Sequence, residues 1–318
     1  MTFKIGIIGC GGIAAAHAQA YRDNGVSVVA VTDVNRASAE KFVKDHASEA
    51  AVYEDCHSLL TKAGVDAVSV CTPPSTHEEI VIEALGRRIP VLCEKPLAHT
   101  LAAGERMAGA ARTAQTPLMI AFRHRFLPAI QKLKALIGEG CIGRPVALSN
   151  AFCGPAFFMK DRWFSKKAVA GGGCMLDTSS HTVDIFRYLF GEIVEQHGVT
   201  NRAFEGTDVE DSSILTVRGE SGVLGTFFAS WGAGVGRAVL DVMGDKGRMV
   251  YEYGGNIEVV DSERNTRTWP VESSGGFTEE VAHFLRAIRG EEPLTSSWQD
   301  GLRALEIIQN VYENDRVH

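Results

Sequence analysis

Apolar residues fall into two different rhythms along the 318-residue chain. Up to about residue 122, short continuous apolar runs at 4–8, 26–32, 67–71, 91–93 and 118–122 alternate with helical stretches that begin near Gly12, Ala37, Thr76 and Leu101. Continuous runs bounded by turns predict strands buried on both faces. Their alternation with helices predicts a parallel sheet covered on each side. Beyond residue 123 a helix at 128–137 leads into extended runs at 145–153, 213–218, 223–231, 238–244 and 248–253. Gly219-Glu220-Ser221-Gly222 and Gly244-Asp245-Lys246-Gly247 read as hairpin turns, so this second sheet is expected to be mostly antiparallel. A final amphipathic helix starts near Gln299, with Leu302, Leu305, Ile308 and Tyr312 at helical spacing. The fold class is α/β: a doubly wound parallel sheet over residues 1–122, then an α+β domain over 123–318 with a large open sheet. An open sheet leaves an apolar face to be covered, with Phe227, Phe228 and Trp231 among the candidates, which predicts a homodimer or homotetramer built through it.

Composition narrows the functional classes. A hydrophobic content of 45% with 22% charged residues describes a soluble globule with ample core. The net charge of −7 and the lack of a basic stripe argue against nucleic acid as a partner. No apolar run is long enough for a transmembrane helix, and a first strand starting at Lys4 leaves no room for a signal peptide. Seven cysteines, an odd number with no C-x-x-C pair, argue against a zinc site or disulfide framework and for reduced thiols in the cytoplasm. Repeats and low-complexity segments are absent.

Three motifs in the first half carry chemistry. Gly9-Cys10-Gly11-Gly12-Ile13-Ala14 is a G-x-G-x-x-A run directly after the first strand, where Gly9 permits the tight turn and Gly11 lets backbone approach a pyrophosphate. Ala14 keeps the helix close to the sheet, and the helix N-terminus favours the anion. Asp33 ends the second strand about 20 residues on, where a carboxylate can accept the adenosine ribose hydroxyls. That favours NAD, while nearby Arg36 keeps NADP open. The Cys71-Thr72-Pro73-Pro74-Ser75-Thr76-His77 loop follows the next strand and would edge the cofactor cleft, with His77 serving either packing or the cofactor. Glu94-Lys95-Pro96 closes the run at 89–93. A lysine at the end of a buried strand is unusual unless it projects toward a ligand, and ligands of such sheets lie beyond the carboxyl ends of the strands.

A second dense signal runs from Gly171-Gly172-Gly173 through Asp184. On a helix at 174–190, Asp177, His181, Asp184 and Tyr188 share one face, within an arc of roughly 60° at about 100° per residue. The preceding glycines allow backbone to approach a ligand or a neighbouring domain closely. A solvated polar face and an Asp–His metal site are the competing readings, and the metal site has no third ligand in view. Hydride transfer needs a group that takes the hydroxyl proton, and histidine or lysine serves.

Together these motifs resemble the glucose-fructose oxidoreductase / inositol dehydrogenase (Gfo/Idh/MocA) family, over nearly the whole chain. The matching features are Gly9-x-Gly11-x-x-Ala14, Thr72-Pro73-Pro74-x-x-His77, Glu94-Lys95-Pro96, and Gly171-Gly172-Gly173 followed by Asp177 and His181. The resemblance implies a Rossmann domain holding NAD(P) with its nicotinamide near Glu94 and Lys95. It also implies a second domain that binds a sugar or cyclitol and oligomerises. Lys95 and His181 become the proton-transfer and hydroxyl-binding pair, and Asp177 the residue that orients substrate. Arg123 and Trp163 lie in segments where relatives vary with substrate, and Asp184 joins them as a candidate contact. A catalytically silent sensor of the same fold is the alternative, though such a protein is expected to lose Lys95 or His181.

Overall fold

The computed structural model describes residues 3–315. In chain order the first half holds β1 (Lys4–Ile8), α1 (Gly12–Asp23), β2 (Ser27–Thr32), α2 (Arg36–His46), β3 (Ala51–Val52), α3 (Cys56–Lys62), β4 (Ala67–Val70), α4 (His77–Gly86), β5 (Val91–Cys93), α5 (Leu101–Ala114) and β6 (Leu118–Ile120). All neighbouring strands pair in parallel, in the order β3-β2-β1-β4-β5-β6. That order reverses direction beside β1, which is where doubly wound sheets bind dinucleotides. The strands are largely apolar because helices cover both faces: every residue of β4, β5 and β6 is buried. The motif-bearing elements lie within a few residues of their predicted bounds. The two-residue β3 and the seven-residue α3 are too short to leave a periodic signal.

The second half holds α6 (Pro128–Gly138), β7 (Pro145–Pro155), α7 (Lys167–Ala170), α8 (Ser180–Phe190), β8 (Ile193–Asn201), β9 (Ser212–Gly219), β10 (Leu224–Ser230), β11 (Gly232–Gly244), β12 (Gly247–Glu252), β13 (Ile257–Asp261) and β14 (Thr266–Trp269), followed by α9 (Phe277–Ile288) and α10 (Trp298–Asn314). The eight-stranded sheet runs β14-β13-β12-β11-β7-β10-β9-β8. Its pairs are antiparallel except for β10 with β7. Both glycine-flanked turns are hairpins, joining β9 to β10 and β11 to β12. Strands β9 and β10 alternate buried and exposed positions, so one face is core and the other is open. Phe227 and Trp231 belong to the core face, at 1% and 5% exposure, which corrects their expected place on the open face. Phe228, one residue out of phase with Phe227, is 38% exposed there. The outer strands β8 and β14 went unread because edge strands need few apolar residues.

The chain divides into two compact units. One takes in the chain up to Arg123 together with Gly276–Arg303. The other takes in His124–Gly275 together with the chain from Ala304 on. Residues 276–303 thus join the parallel-sheet unit, whereas contiguous stretches of 1–122 and 123–318 place them with the second sheet.

Candidate functional site

In the first unit, the turn from β1 into α1 combines strain and open space. Gly9 has φ of +90°, and a Cβ there would lie 2.8 Å from both Cys71 O and Thr72 Cγ2. A Cβ on Gly11 or Gly12 would meet no protein atom within 4 Å. The fold's own packing therefore does not demand glycine at those two positions. Helices α2, α3 and α5 are capped by the side chains of Asn35, Asp55 and Thr100, whereas α1, preceded by Gly11, has no side-chain cap, and neither does α4. The first N–H groups of α1 have no side-chain acceptor, and such a helix end favours an anion. Ala14 is fully buried and lets α1 close onto the sheet, while Ile13 is half-buried.

Asp33 closes this turn from the side. Its carboxylate accepts the N–H groups of Cys10 and Asn35, each at 2.8 Å, so its orientation is set by backbone. Burial, and then the Asp33 charge, push the Cys10 thiol up to about 12, which leaves that side chain a neutral spacer. Arg36 pairs with Glu40 at 2.8 Å on the exposed face of α2. Thr72 and Pro73 begin the loop after β4, half-buried and tied together by the Thr76 hydroxyl.

His77 follows the packing alternative, and Glu94 turns inward instead of making the cofactor contact expected of it. His77 is fully buried, with Nε2 2.8 Å from Thr72 O and Nδ1 3.2 Å from the carbonyl oxygens of Pro96 and Leu97. Burial holds its pKa below the usual value. The ring lies between the carbonyl oxygens of the Thr72 loop and those of the Glu94-Lys95-Pro96 loop, and in its neutral form its single N–H donates to one of them. Glu94 is 7% exposed and turns inward: Oε1 accepts from His17 Nε2 at 2.9 Å, and Oε2 accepts the Lys95 backbone N–H at 3.1 Å. His17 Nδ1 lies 3.2 Å from Ser69 Oγ, which is 2.9 Å from the Tyr21 hydroxyl.

Burial opposes a charge on His17, but Cys71 and Glu94 outweigh it and push the ring up to about 10. Burial likewise raises the Cys71 thiol, which stays protonated near neutral pH, so Glu94 is the partner that carries charge. Burial would raise Glu94 too, yet the His17 bond and charge hold it below the usual carboxylate value. Lys95 itself is half-buried and joined to Pro96 by a cis peptide bond.

In the second unit, the helix expected at 174–190 is present but not uniform. Met175–Ser179 form a π-helical turn that leads into α8. The wider turn shifts Asp177 out of the α-helical phase that placed it in line with Asp184 and Tyr188. Asp177 is half-buried, and His181 is 9% exposed with its ring stacked on His124 at 4.0 Å and 14°. Phe152 and Tyr253 flank His124 at 5.6 and 5.3 Å.

Asp184 is buried in a bidentate pair with Arg125, including a 3.0 Å bond from Nε, and this corrects its expected place against substrate. Tyr188 donates to Gln131 and carries Lys134 over its ring. The lower half of the predicted polar face is therefore filled by α6 and the segment before it.

The glycine run also has a local cause. A Cβ on Gly172 would collide with the Tyr312 hydroxyl, and one on Gly173 with the backbone of Glu210. The Glu210 carboxylate accepts the N–H groups of Gly173 and Met175 at 2.9 Å each and the Tyr312 hydroxyl at 2.7 Å. Burial raises its pKa. These glycines let the segment bearing Asp177 and His181 sit directly on a buried carboxylate. Trp163 stacks on Phe164 at 3.7 Å, and Arg123, half-buried, lies 4.9 Å from the Phe277 ring. The pairings of His17, Ser69, Glu210 and Tyr312 have no periodic signature: the spacing of Tyr312 marks a helix face, and none of the four announces its partner.

Comparison with known proteins agrees with the motifs. Residues 3–122 match the oxidoreductase family with an NAD-binding Rossmann fold, GFO/IDH/MocA, and residues 130–250 match the GFO/IDH/MocA C-terminal domain. The chain is 30% identical over 317 residues to a myo-inositol 2-dehydrogenase of Thermotoga maritima, covering 95% of this chain and 93% of that protein. It is 27% identical over 344 residues to a D-apiose dehydrogenase of Paraburkholderia graminis, covering 99% and 88%. A solved levoglucosan dehydrogenase, in complex with NADH and levoglucosan, superposes with a TM-score of 0.90 at 24% identity, covering 98% of this chain and 97% of that one.

Proposed function

The chain belongs to the GFO/IDH/MocA oxidoreductase family, and from that premise we propose an NAD-dependent dehydrogenase acting on a hydroxyl-bearing carbon of a sugar, sugar derivative or cyclitol. The observation that carries the reading lies in one unit: Lys95 stands at the carboxyl end of β5, in the same sheet whose β1–α1 turn offers an uncapped helix N-terminus above two unencumbered glycines. Gly9, Gly11, Gly12 and Ala14 suit the pyrophosphate, and the backbone-fixed Asp33 suits a ribose diol better than a 2′-phosphate. Thr72 and Pro73 border the same turn. Bound NAD supplies the hydride acceptor or, in the reductive direction, the donor.

The protein's own residues handle the proton. Of the pair Lys95 and His181, one takes it from the substrate hydroxyl as the carbon is oxidised, and returns it in reduction, while the other binds that hydroxyl. Asp177, half-buried one turn before His181, orients a second hydroxyl by accepting its proton in a hydrogen bond. Arg123 and Trp163 are the remaining candidates for substrate contact. The test is the absorbance of reduced nicotinamide across a panel of inositols, aldoses and anhydrosugars. Turnover should appear with at least one, and Lys95→Met and His181→Ala should each lower kcat by about 100-fold or more while NAD still binds. Silence across the panel with NAD bound would favour a sensor, and near wild-type turnover in both variants would defeat the residue assignment.

The open face of the eight-stranded sheet supports a homodimer or homotetramer. Val199, Ile214 and Phe228 lie side by side across β8, β9 and β10, at 60%, 43% and 38% exposure. Light scattering on the purified chain reads the assembly, and a monomer at micromolar concentration would refute it. All seven cysteines are free, consistent with a protein that works in the reducing cytoplasm.

A further inference from the structure

The series Tyr21, Ser69, His17, Glu94 lies behind the lysine loop, and the hydride-transfer reading leaves it without a task. Hydroxyl, imidazole and carboxylate are the residue types of a nucleophilic triad. Ser69 and His17 are fully buried, so no substrate can reach that hydroxyl, and a second active site is excluded. Maintaining the polar tone of the core is an insufficient explanation as well. A buried carboxylate and imidazole are costly to desolvate, and apolar side chains of similar size would pack there without that penalty.

The two oxygens of Glu94 divide their bonds in a telling way. Oε1 meets His17, which projects from α1, and Oε2 turns back onto the N–H of Lys95. The N–H of Glu94 is itself held by Val70 O at the end of β4. The peptide that carries the lysine side chain is thus fixed from the sheet and from the helix that follows the glycine turn. We infer that His17 is a positioning residue for Lys95, acting through the Glu94 carboxylate, so that the lysine and α1 are registered to one another. The inference rests on the assignment of Lys95 to proton transfer, but its geometry can be tested without turnover.

The experiment uses the full chain without cofactor and compares the wild type with Glu94→Gln, His17→Gln and the double variant. Trinitrobenzenesulfonate labelling of Lys95 is followed by peptide mass spectrometry, with Lys41, exposed on α2, as internal reference. Each single variant should change the Lys95 labelling rate by about threefold or more relative to Lys41, and the double variant should go no further than the larger single effect. In turnover, kcat should fall about tenfold to a hundredfold, the scale of a displaced catalytic group, while the dissociation constant for NADH stays within about twofold. Unchanged Lys95 labelling in both single variants, or effects that multiply in the double, would overturn the inference. If His17→Gln does not fold, the isosteric Glu94→Gln carries the test alone. Normal turnover of Lys95→Met would remove the catalytic assignment, and the labelling result would still decide whether His17 positions the lysine.

Discussion

Replacing Asp184 by alanine should destabilise the protein severely and leave substrate affinity nearly untouched. Arg125 and Asp184 are 7% and 1% exposed at the side chain and share two parallel bonds, so the pair is shielded from solvent screening. Removing one member of such a buried pair costs about 3–5 kcal/mol, because the remaining charge keeps its burial and loses its counter-charge. The Tyr188 ring, 5.1 Å from the guanidinium, is present in wild type and variant alike, so its attraction cancels from the difference. The expected loss is therefore at least about 3 kcal/mol. At an m-value of about 2 kcal/mol/M this is a fall of roughly 1.5 M in the urea midpoint.

The assay pairs urea unfolding, followed by circular dichroism, with Michaelis constants for whichever polyol the enzyme turns over. A companion protein, Arg125→Met with Asp184→Leu, should recover most of the lost stability, since apolar replacement of a buried pair is often neutral. A loss under about 1 kcal/mol, together with a KM raised tenfold, would refute this reasoning and return Asp184 to the substrate.

Three further outcomes follow from separate features. Gly173→Ala should lower the melting temperature sharply or abolish folding, because its Cβ would strike the Glu210 backbone. Gly11→Ala meets no protein atom within 4 Å, so it should change stability by less than about 0.5 kcal/mol yet raise KM for NAD, and equal stability losses would contradict both. The His17–Glu94 pair should contribute most stability in mildly acidic solution. The raised His17 pKa gives a contribution complete below the ordinary histidine value of 6.5 and lost as pH rises toward about 10. The lowered Glu94 pKa gives one complete above the ordinary glutamate value of 4.5 and lost on further acidification. The wild type's advantage over Glu94→Gln in urea should therefore peak between those values and shrink on either side, and a flat difference would refute the ion pair. Asp33→Ser should lower the NAD-to-NADP ratio of kcat/KM about tenfold or more, and an unchanged ratio would show that Asp33 does not select the cofactor.

Both sheets were legible because each imposes a rhythm on many residues at once. Strands β1, β4 and β5 are buried on both faces and read as mainly apolar runs without alternation, while β9 and β10 alternate and read as one-sided. The glycine fingerprint was legible because φ of +90° at Gly9 leaves little choice of residue. What escaped was pairing between distant polar residues. Asp184 and Arg125 are 59 positions apart, and Glu94 and His17 are 77 apart. A periodic pattern shows that a side chain faces inward but not which partner awaits it. Asp184 was thus read as a ligand contact, and Glu94 was given to the cofactor. The π-turn at Met175–Ser179 was equally hidden, since its apolar residues fit an α-helix of the same length.

The unit built on the parallel sheet cannot be finished in the order in which it is synthesised. Its last strand, β6, is bonded on both sides of one residue by Ser296: Ser296 O accepts the Ile120 N–H at 2.8 Å, and the Ser296 hydroxyl donates to Ile120 O at 2.6 Å, across 176 positions of chain. Helix α1 likewise waits for α9, where Asn24 donates to Thr278 O at 3.0 Å across 254 positions. A nascent chain leaving the ribosome would expose a nearly complete nucleotide-binding sheet, with one flank of α1 and the edge of β6 uncovered, until residues 276–303 arrived. A fragment ending at 122 would keep every glycine of the fingerprint and lose that closure. It should be recovered as an aggregate or a chaperone client and not as a free nucleotide-binding module.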